Sequence, residues 1–263
     1  PDIDKITFTG STATGKRVME SASKDLKRIT LELGGNDAAI VLPDADVAKV
    51  AEKLFWASFY NAGQVCIAAK RIYIHEDIYD ELSAAIAAYA GAVKVGDGAE
   101  QGTAIGPIQN KQQYNRVLEL IADAKDKGYK FLVGGDHDPS IPGYFVPVTV
   151  LDNPPEDARI VAEEQFGPVM PLMKFSTVDE VISRANASDY GLAGSIWTSN
   201  PEAAVEVAEQ LETGTVWINE SMHLAPNAPF AGHKQSGFGA ELGEEGLLEF
   251  TYPQVITIAR EAA

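Results

Sequence analysis

One cysteine in the sequence has the surroundings of a nucleophile. Cys66 follows the small and polar run Asn-Ala-Gly-Gln-Val at 61–65, which suits an open turn better than a packed core. A thiolate at such a place can attack an electrophilic carbon if its pKa is depressed or if a base lies beside it. The alternative is that Cys66 is a small buried apolar side chain, as lone cysteines usually are.

A second candidate is Glu32, which interrupts the strand-like segment 29–33. A carboxyl group buried there would have a raised pKa and could serve as a general base near neutral pH. The two glycines that follow, Gly34 and Gly35, would let another group, such as a cofactor ring, approach the backbone closely. The alternative is that Glu32 points to solvent from a half-exposed strand.

A glycine-rich turn at residues 10–15 joins a strand at 5–9 to a helix that runs to about Ala22. The N-terminus of a helix presents free N–H groups and a positive dipole end, which suits phosphate. The turn nearly matches the nucleoside-triphosphate pattern, but Arg17 stands where a hydroxyl would bind magnesium. It also lacks the middle glycine of the dinucleotide fingerprint. A tight turn with a Ser or Thr cap is the simpler interpretation.

The composition excludes several functional classes. Acidic residues outnumber basic ones 38 to 21 among 263 residues, and the resulting charge of −17 disfavours binding to nucleic acid or to an anionic membrane surface. The sequence has no apolar run long enough for a membrane span. A single cysteine cannot form an internal disulfide and fits a reducing compartment such as the cytoplasm. The four histidines lack metal-ligand spacing, so no metal site is expected.

Helix-like and strand-like segments alternate along the chain. This pattern predicts βαβ crossovers and an α/β fold, with a mostly parallel twisted sheet and flanking helices. The remaining predicted strands are 71–75, 144–151, 169–175, 193–198, 215–219 and 255–259. The remaining predicted helices are 46–61, 77–91, 110–127, 177–187 and 200–214. The Gly- and Pro-rich stretch 226–239 is expected to be a connector or a functional loop.

Five segments in order resemble the NAD(P)-dependent aldehyde dehydrogenase superfamily: FTGSTATGK, ELGG, NAGQVCIAAKR, EEQFGPV and PFAGHKQSGFGAELGEEGL. The resemblance covers essentially the whole chain and implies the catalytic-domain type of that fold. It implies that residues 1–35 are a remnant of the Rossmann-like cofactor-binding domain and that 36–251 form the catalytic domain. Residues 252–263 would then be a C-terminal oligomerisation strand, in a homo-oligomer.

The resemblance also implies an activity, the oxidation of an aldehyde to a carboxylic acid. Cys66 would add to the carbonyl carbon, its backbone N–H would be one oxyanion donor, and hydride would pass to NAD or NADP. Glu32 would activate the water that hydrolyses the thioester, and Glu241 would assist as a second acidic residue. The implied cofactor contacts are Gly10, Ser11, Gly15, Leu33, Gly34, Glu164 and Phe166. The implied substrate-tunnel residues are Tyr60, Val65, Ile67 and Phe230.

The chain departs from the family in a few ways. Asn36 follows ELGG where Lys is common, and Ala231 replaces the first glycine of a usual FGG. A lysine for the adenosine ribose and an oxyanion asparagine, both expected upstream of the first strand, have no counterpart. The chain is therefore expected to be N-terminally truncated, with weak or absent NAD-dependent activity alone. Cofactor-independent cysteine esterase activity and a non-catalytic folded fragment stay open, as do the aldehyde and the choice between NAD and NADP.

Overall fold

The computed structural model describes residues 2–260. Its strands are β1 Lys5–Thr9, β2 Arg28–Glu32, β3 Asp37–Val41, β4 Ala69–His75, β5 Lys130–Val133, β6 Thr149–Asp152, β7 Val169–Phe175, β8 Tyr190–Gly191, β9 Ala193–Trp197, β10 Thr215–Ile218, β11 His233–Lys234 and β12 Gly237–Phe238. Its helices are α1 Thr12–Ser23, α2 Val47–Phe59, α3 Glu76–Ala92, α4 Lys111–Asp126, α5 Arg159–Ala162, α6 Val178–Asn186, α7 Pro201–Ala208 and α8 Gly243–Leu248, and a 3-10 turn spans Tyr60–Gly63.

A seven-stranded sheet with the order β10-β9-β3-β4-β7-β6-β5 forms the centre of the molecule. All its neighbouring strands are parallel except β5, which pairs antiparallel with β6. Parallel neighbours require crossover connections, and helices supply them. The predicted α/β class with a mostly parallel sheet is therefore confirmed.

The sheet is covered on both faces. Along β3, Ala38 and Ile40 belong to one apolar core, whereas Ala39 and Val41 belong to the other, because successive side chains of a strand point to opposite faces. Helices α4, α6 and α7 contribute to the first core, and helices α2 and α3 contribute to the second. Because both faces are covered, every residue of β3 is buried.

Two smaller sheets complete the fold. In the first, β2 lies between β1, which is parallel to it, and β12, which is antiparallel. In the second, β8 pairs with β11. The carboxyl end of β1 leads into the turn before helix α1, and that of β2 leads into the segment 33–36, which enters the large sheet at the start of β3. The candidate residues before and after this segment therefore meet at the junction of the two sheets.

Several predicted elements need correction. Strands β3 and β5 are absent from the prediction, because β3 is a short run with two alanines and carries no alternating pattern. The predicted strand at 144–151 begins only at Thr149, since Pro147 has no N–H to offer a neighbouring strand. Helix α7 ends at Ala208 rather than near 214. After Ala208, i→i+3 hydrogen bonds at Gln210 and Leu211 replace the helical pattern.

The predicted strand at 255–259 is not found within this chain. Residues 251–259 carry no regular secondary structure, and Val255, Ile256 and Ile258 are 78–88% exposed. A strand needs a hydrogen-bonded neighbour, and the described part of the chain offers none there. The last three residues of the predicted oligomerisation strand, 261–263, lie outside the described residues. The domain boundaries at 35 and 251 stay predictions.

Candidate active site

A cleft of about 910 Å³ opens at the junction of the two sheets. This volume is typical of sites that bind a cofactor or a drug-sized molecule. It brings together Cys66 and most of the residues predicted to contact a cofactor, namely Gly10, Ser11, Leu33, Gly34, Glu164 and Phe166. Segments that lie far apart in the sequence thus form one continuous wall.

Ser11 forms the first part of this wall as the N-cap of helix α1. Its side-chain oxygen accepts a hydrogen bond from the Thr14 N–H at 3.3 Å, and its carbonyl accepts one from Gly15 at 2.9 Å. Gly10 donates to the carbonyl of Glu32 at 3.0 Å, which holds the turn against β2. The start of a twelve-residue helix therefore borders the cleft, as a phosphate group would require.

Gly15 differs from the other predicted cofactor contacts in that it does not line the cleft, and its contact with a cofactor stays a prediction. It lies buried inside helix α1 rather than in the preceding turn. A Cβ atom at Gly15 would stand 2.5 Å from the Cδ2 atom of Leu33. The glycine is needed so that the helix can pack closely against Leu33, which itself lines the cleft.

Cys66 lies in the loop between the 3-10 turn and β4. The backbone there is left-handed at three successive residues, with φ of 53° at Asn61, 57° at Ala62 and 70° at Gly63. A Cβ atom on Gly63 would stand only 2.1 Å from the Gly167 carbonyl oxygen, so the loop packs tightly against the segment after Phe166. This conformation leaves the Cys66 side chain half-buried at the wall of the cleft.

The Cys66 thiol is not activated by a depressed pKa. Burial raises its pKa, and the carboxyl groups of Asp37 and Glu164 raise it further, whereas the Lys70 ammonium and the Ile67 N–H oppose this. The thiol therefore keeps its proton at neutral pH. Of the two routes to a nucleophile considered above, only the one through a base is left.

Glu32 is buried at the carboxyl end of β2, which decides between its two interpretations. Its side chain is 3% exposed, and neither carboxyl oxygen has a hydrogen-bond partner among the described residues. Burial, with a smaller contribution from Glu241, raises the pKa of Glu32 from 4.5 to about 8. A carboxyl group with such a pKa can accept a proton near neutral pH.

Glu32 does not line the cleft, but the ELGG segment connects it to the Cys66 loop. A Cβ atom on Gly35 would stand 2.3 Å from the Cys66 carbonyl oxygen, so the two backbones are in contact. Three residues span at most about 11 Å, which places Glu32 within that length of chain from the loop. Glu241 is half-buried, and its backbone exchanges hydrogen bonds of 2.7 and 2.8 Å with Phe230.

Glu164 is fixed in position at the cleft. Its Oε1 atom accepts a hydrogen bond from the Gly35 N–H at 3.0 Å. Burial raises the pKa of Glu164, while Lys70 and the Gly35 N–H oppose the shift. A Cβ atom on Gly34 would stand 2.5 Å from Oε2, so the glycine gives this carboxyl group its room. Phe166 follows in a left-handed conformation, with φ of 45°.

Three of the four predicted substrate residues come together. Ile67 and Phe230 belong to one small apolar cluster with Trp217, and Val65 and Cys66 pack against it. Val65 also lines the cleft. Tyr60 differs, since it is 60% exposed and lies neither in this cluster nor at the cleft.

The sequence analysis missed several residues of the site. Asp37 and Lys70 are both buried next to Cys66, and their charges act on its thiol. Asn110, Gln113 and Arg116, from the start of helix α4, line the cleft. Lys70 carried no usable signal, because the predicted strand begins one residue later and the burial of its side chain is a tertiary effect.

The wall of the cleft fits a dinucleotide better than a metal. The helix N-terminus at Ser11 suits a pyrophosphate, and Gly34 leaves the backbone open next to the Glu164 carboxyl group. Among residues 2–260, no group of three or more His, Cys, Asp or Glu side chains is placed to hold a metal ion. No helix within the same residues combines the length and apolar character of a membrane span.

Comparison with known proteins places this chain in a family. A family model described as the aldehyde dehydrogenase family matches residues 1–256, and the chain belongs to that family. A putative aldehyde dehydrogenase from Bacillus subtilis, DhaS, is 45% identical over 249 residues, which are 95% of this chain and 50% of the relative. The chain thus spans about half the length of the curated relatives it matches.

Solved structures that resemble this chain are also aldehyde dehydrogenases. An NAD+ complex of aldehyde dehydrogenase from Bacillus cereus superimposes with a TM-score of 0.91 at 43% identity, covering 95% of this chain and 51% of that one. Lactaldehyde dehydrogenase from Escherichia coli superimposes with a TM-score of 0.92 at 36% identity, covering 97% and 53%.

Proposed function

We propose that the protein oxidises an aldehyde to a carboxylic acid with NAD(P)+ as the oxidant. The observation that carries this proposal is that Cys66 lines the same cleft as Ser11, Glu164 and Phe166. The bound cofactor would take hydride from the substrate carbon, which is chemistry that side chains do not supply. The NAD+ complex of the Bacillus cereus relative supports the choice of cofactor class.

In the first half of the reaction, the Sγ atom of Cys66 adds to the carbonyl carbon and gives a thiohemiacetal. Because the pKa of this thiol is raised, its proton must leave as the sulfur attacks, and water in the open cleft is the proton acceptor that we propose for this step. The Cys66 backbone N–H is our proposed donor to the oxyanion. Oxidation of the adduct leaves a thioester on Cys66.

In the second half, Glu32 takes a proton from the water that attacks the thioester. The carboxylic acid leaves and the Cys66 sulfur is free again. Glu241 acts on Glu32, since it contributes to raising the pKa of that carboxyl group, and we assign it the relay of the proton towards solvent. The rate of hydrolysis is then expected to rise with pH up to about 8, where Glu32 becomes ionised.

The remaining residues orient the reactants. We assign the pyrophosphate to the turn at Gly10 and Ser11, and the nicotinamide half to Leu33, Gly34, Glu164 and Phe166. The apolar cluster of Val65, Ile67 and Phe230 would take the organic group of the aldehyde. Its burial supports this assignment, whereas the exposed Tyr60 has no such support.

We also propose that the protein forms a homo-oligomer through residues 252–260 and works in the cytoplasm. The exposed apolar side chains of the segment support the first proposal, because such groups gain stability when another surface covers them. The single cysteine is compatible with the second.

A second candidate function is the hydrolysis of activated esters without a cofactor. The observation that favours it is that Cys66 and Glu32 both lie in this chain, so acylation and deacylation need no further group. This activity would pass through the same acyl-Cys66 thioester.

The test is to detect that thioester rather than steady turnover, because the chain spans about half the length of its relatives. The chain is incubated with an aldehyde and NAD+, or with an activated ester alone, and its intact mass is measured. The variant Glu32→Gln should accumulate an acyl adduct on Cys66, since hydrolysis lacks its base. Glu20→Gln, an exposed carboxylate on helix α1, is the matched control and should behave as the wild type.

The outcomes separate the two functions. An adduct that forms from the aldehyde only when NAD+ is present, and that is lost in Cys66→Ala, supports aldehyde oxidation. An adduct that forms only from the ester supports the esterase alternative. Absence of an adduct in Glu32→Gln from both substrates would overturn both functions for this chain.

A further inference from the structure

Two consecutive cations, Lys70 and Arg71, are buried in strand β4, with 1% and 5% exposure. They point to opposite faces of the strand. Arg71 is accounted for by structure, because it donates to the carbonyls of Arg184 and Ala185 at 3.2 and 2.9 Å, at the end of helix α6. Lys70 points to the other face and meets the loop that presents Cys66.

The Lys70 ammonium contacts both sides of the cleft wall. Its Nζ atom donates to the Val65 carbonyl at 2.7 Å and to the Gly63 carbonyl at 3.2 Å, and both carbonyls belong to the loop that presents Cys66. The same Nζ atom lies 5.7 Å from the centre of the Phe166 ring. One side chain therefore links the loop of the nucleophile to the turn that follows Glu164.

The charges around Lys70 come from three different segments. Asp37 at the start of β3, Glu164 after helix α5 and the Cys66 thiol all favour the charged ammonium, and they oppose the lowering of the pKa of Lys70 by burial. Asp37 receives one hydrogen bond, from the Ala193 N–H at 3.1 Å, and its other carboxyl oxygen has no partner among the described residues. Burial raises the pKa of both carboxyl groups, because uncompensated buried charge is costly; the Lys70 ammonium opposes this shift at Glu164 and, together with Arg71, at Asp37.

We propose that Lys70 is a positioning residue that holds the Cys66 loop through two carbonyls and supplies the positive charge that balances Asp37 and Glu164 beside the thiol. The proposal rests on the proposed function, since Cys66 is the reacting group in both. It adds a residue that touches neither substrate nor cofactor and acts through Cys66 and Glu164. In this arrangement, the sulfur can become a thiolate although two carboxyl groups surround it.

The test uses the fact that Cys66 is the single cysteine of the chain, so that every thiol reaction reports on it. The rate of alkylation by iodoacetamide is measured against pH in the 263-residue chain. Replacing Lys70 by the uncharged Met, in Lys70→Met, should move the midpoint up by about one pH unit, or slow alkylation about tenfold below the midpoint. Lys24→Met, on an exposed lysine after helix α1, should leave the midpoint unchanged.

Two further variants separate charge from packing. Lys70→Gln retains a donor for the carbonyls but not the charge, and should shift the midpoint as Lys70→Met does. Lys70→Arg keeps the charge and should keep the wild-type midpoint. If Lys70→Met and Lys70→Gln fail to fold, a folded Lys70→Arg with the wild-type midpoint supports the proposal. If Lys70→Arg also fails to fold, the proposal is overturned.

A folded Lys70→Met with an unchanged midpoint also overturns the proposal, since a side chain that only fills space would not move the titration. Alkylation needs neither aldehyde nor NAD+. A shifted midpoint in a chain that forms no acyl adduct would therefore support the role of Lys70 while the proposed oxidation fails.

Discussion

The backbone N–H of Gly35 donates to the Oε1 atom of Glu164 at 3.0 Å, which ties together two segments 129 residues apart. The contact fixes the carboxyl group at the cleft and leaves its Oε2 atom against Gly34. On its other side, Gly35 touches the carbonyl of Cys66. The segment 33–36 thus fixes the positions of Glu32, Cys66 and Glu164 relative to one another.

Gly35→Ala is expected to destabilise the fold by roughly 1–3 kcal/mol. Its Cβ atom would stand 2.3 Å from the Cys66 carbonyl oxygen, and backbone cannot move aside as a flexible side chain can. Urea unfolding measures the effect. The matched control is Gly91→Ala in helix α3, where a Cβ atom meets nothing within 4 Å and a small gain in stability is expected. Equal stability of the two variants would contradict the prediction.

Stability should depend on the Glu32 carboxyl group in a defined pH range. Its pKa is raised from 4.5 to about 8 in the fold, so between these values the folded chain holds a proton that the unfolded chain has lost. The free energy of unfolding therefore falls as pH rises through this range, by roughly 5 kcal/mol. In Glu32→Gln, the free energy of unfolding should depend less on pH, when unfolding curves are measured between about pH 5 and about pH 9. A slope equal to that of the wild type would count against the buried, protonated carboxyl.

Arg71→Lys is expected to cost roughly 2–4 kcal/mol although the charge is kept. The guanidinium donates at once to the Asn36 carbonyl at 2.8 Å and the Ala185 carbonyl at 2.9 Å, and one ammonium cannot reproduce this fork. Arg17→Lys, at an exposed position of helix α1, serves as the control and should be neutral. Thermal unfolding of both variants measures the effect, and similar unfolding midpoints for the two would refute the prediction.

The double substitution Ile256→Asp and Ile258→Asp should weaken self-association without changing unfolding. These side chains are 78% and 83% exposed, so they contribute little to the fold of one chain. A control, Leu26→Asp, changes an 89% exposed side chain outside the segment and should leave association unaltered. Sedimentation velocity measures the outcome. An undiminished oligomer in the double variant would remove the segment from the interface.

Much of the fold was predictable where the pattern was strong. Strand β7 occurs as predicted, and helix α4 begins with the N-cap Asn110 and ends before Gly128. Strand β3 was not predictable, because it is buried on both faces and its alanines carry no alternation. Within the site, the motifs predicted part of the cleft wall around Cys66, but not that Glu32 and Gly15 lie outside it.

The electrostatics of the site could not be predicted in the same way. The pattern around Glu32 allowed either exposure or burial, and the assembled fold buries it in a strand that has neighbours on both edges. The raised pKa of Cys66 depends on Asp37 and Glu164, which reach it from other segments. Such effects follow from tertiary contacts that no local pattern records.

The pairing of β12 with β2 has a consequence for how the chain is made. Gly237 pairs with Glu32, so strand β2 keeps one open edge until Gly237 has left the ribosome. Strand β3 waits similarly for β9. Contacts between residues so distant in sequence form slowly, and open strand edges are prone to aggregation meanwhile. The strand that carries the proposed base therefore gains its second neighbour late in folding. Until then, its open edge is a place where the nascent chain can aggregate.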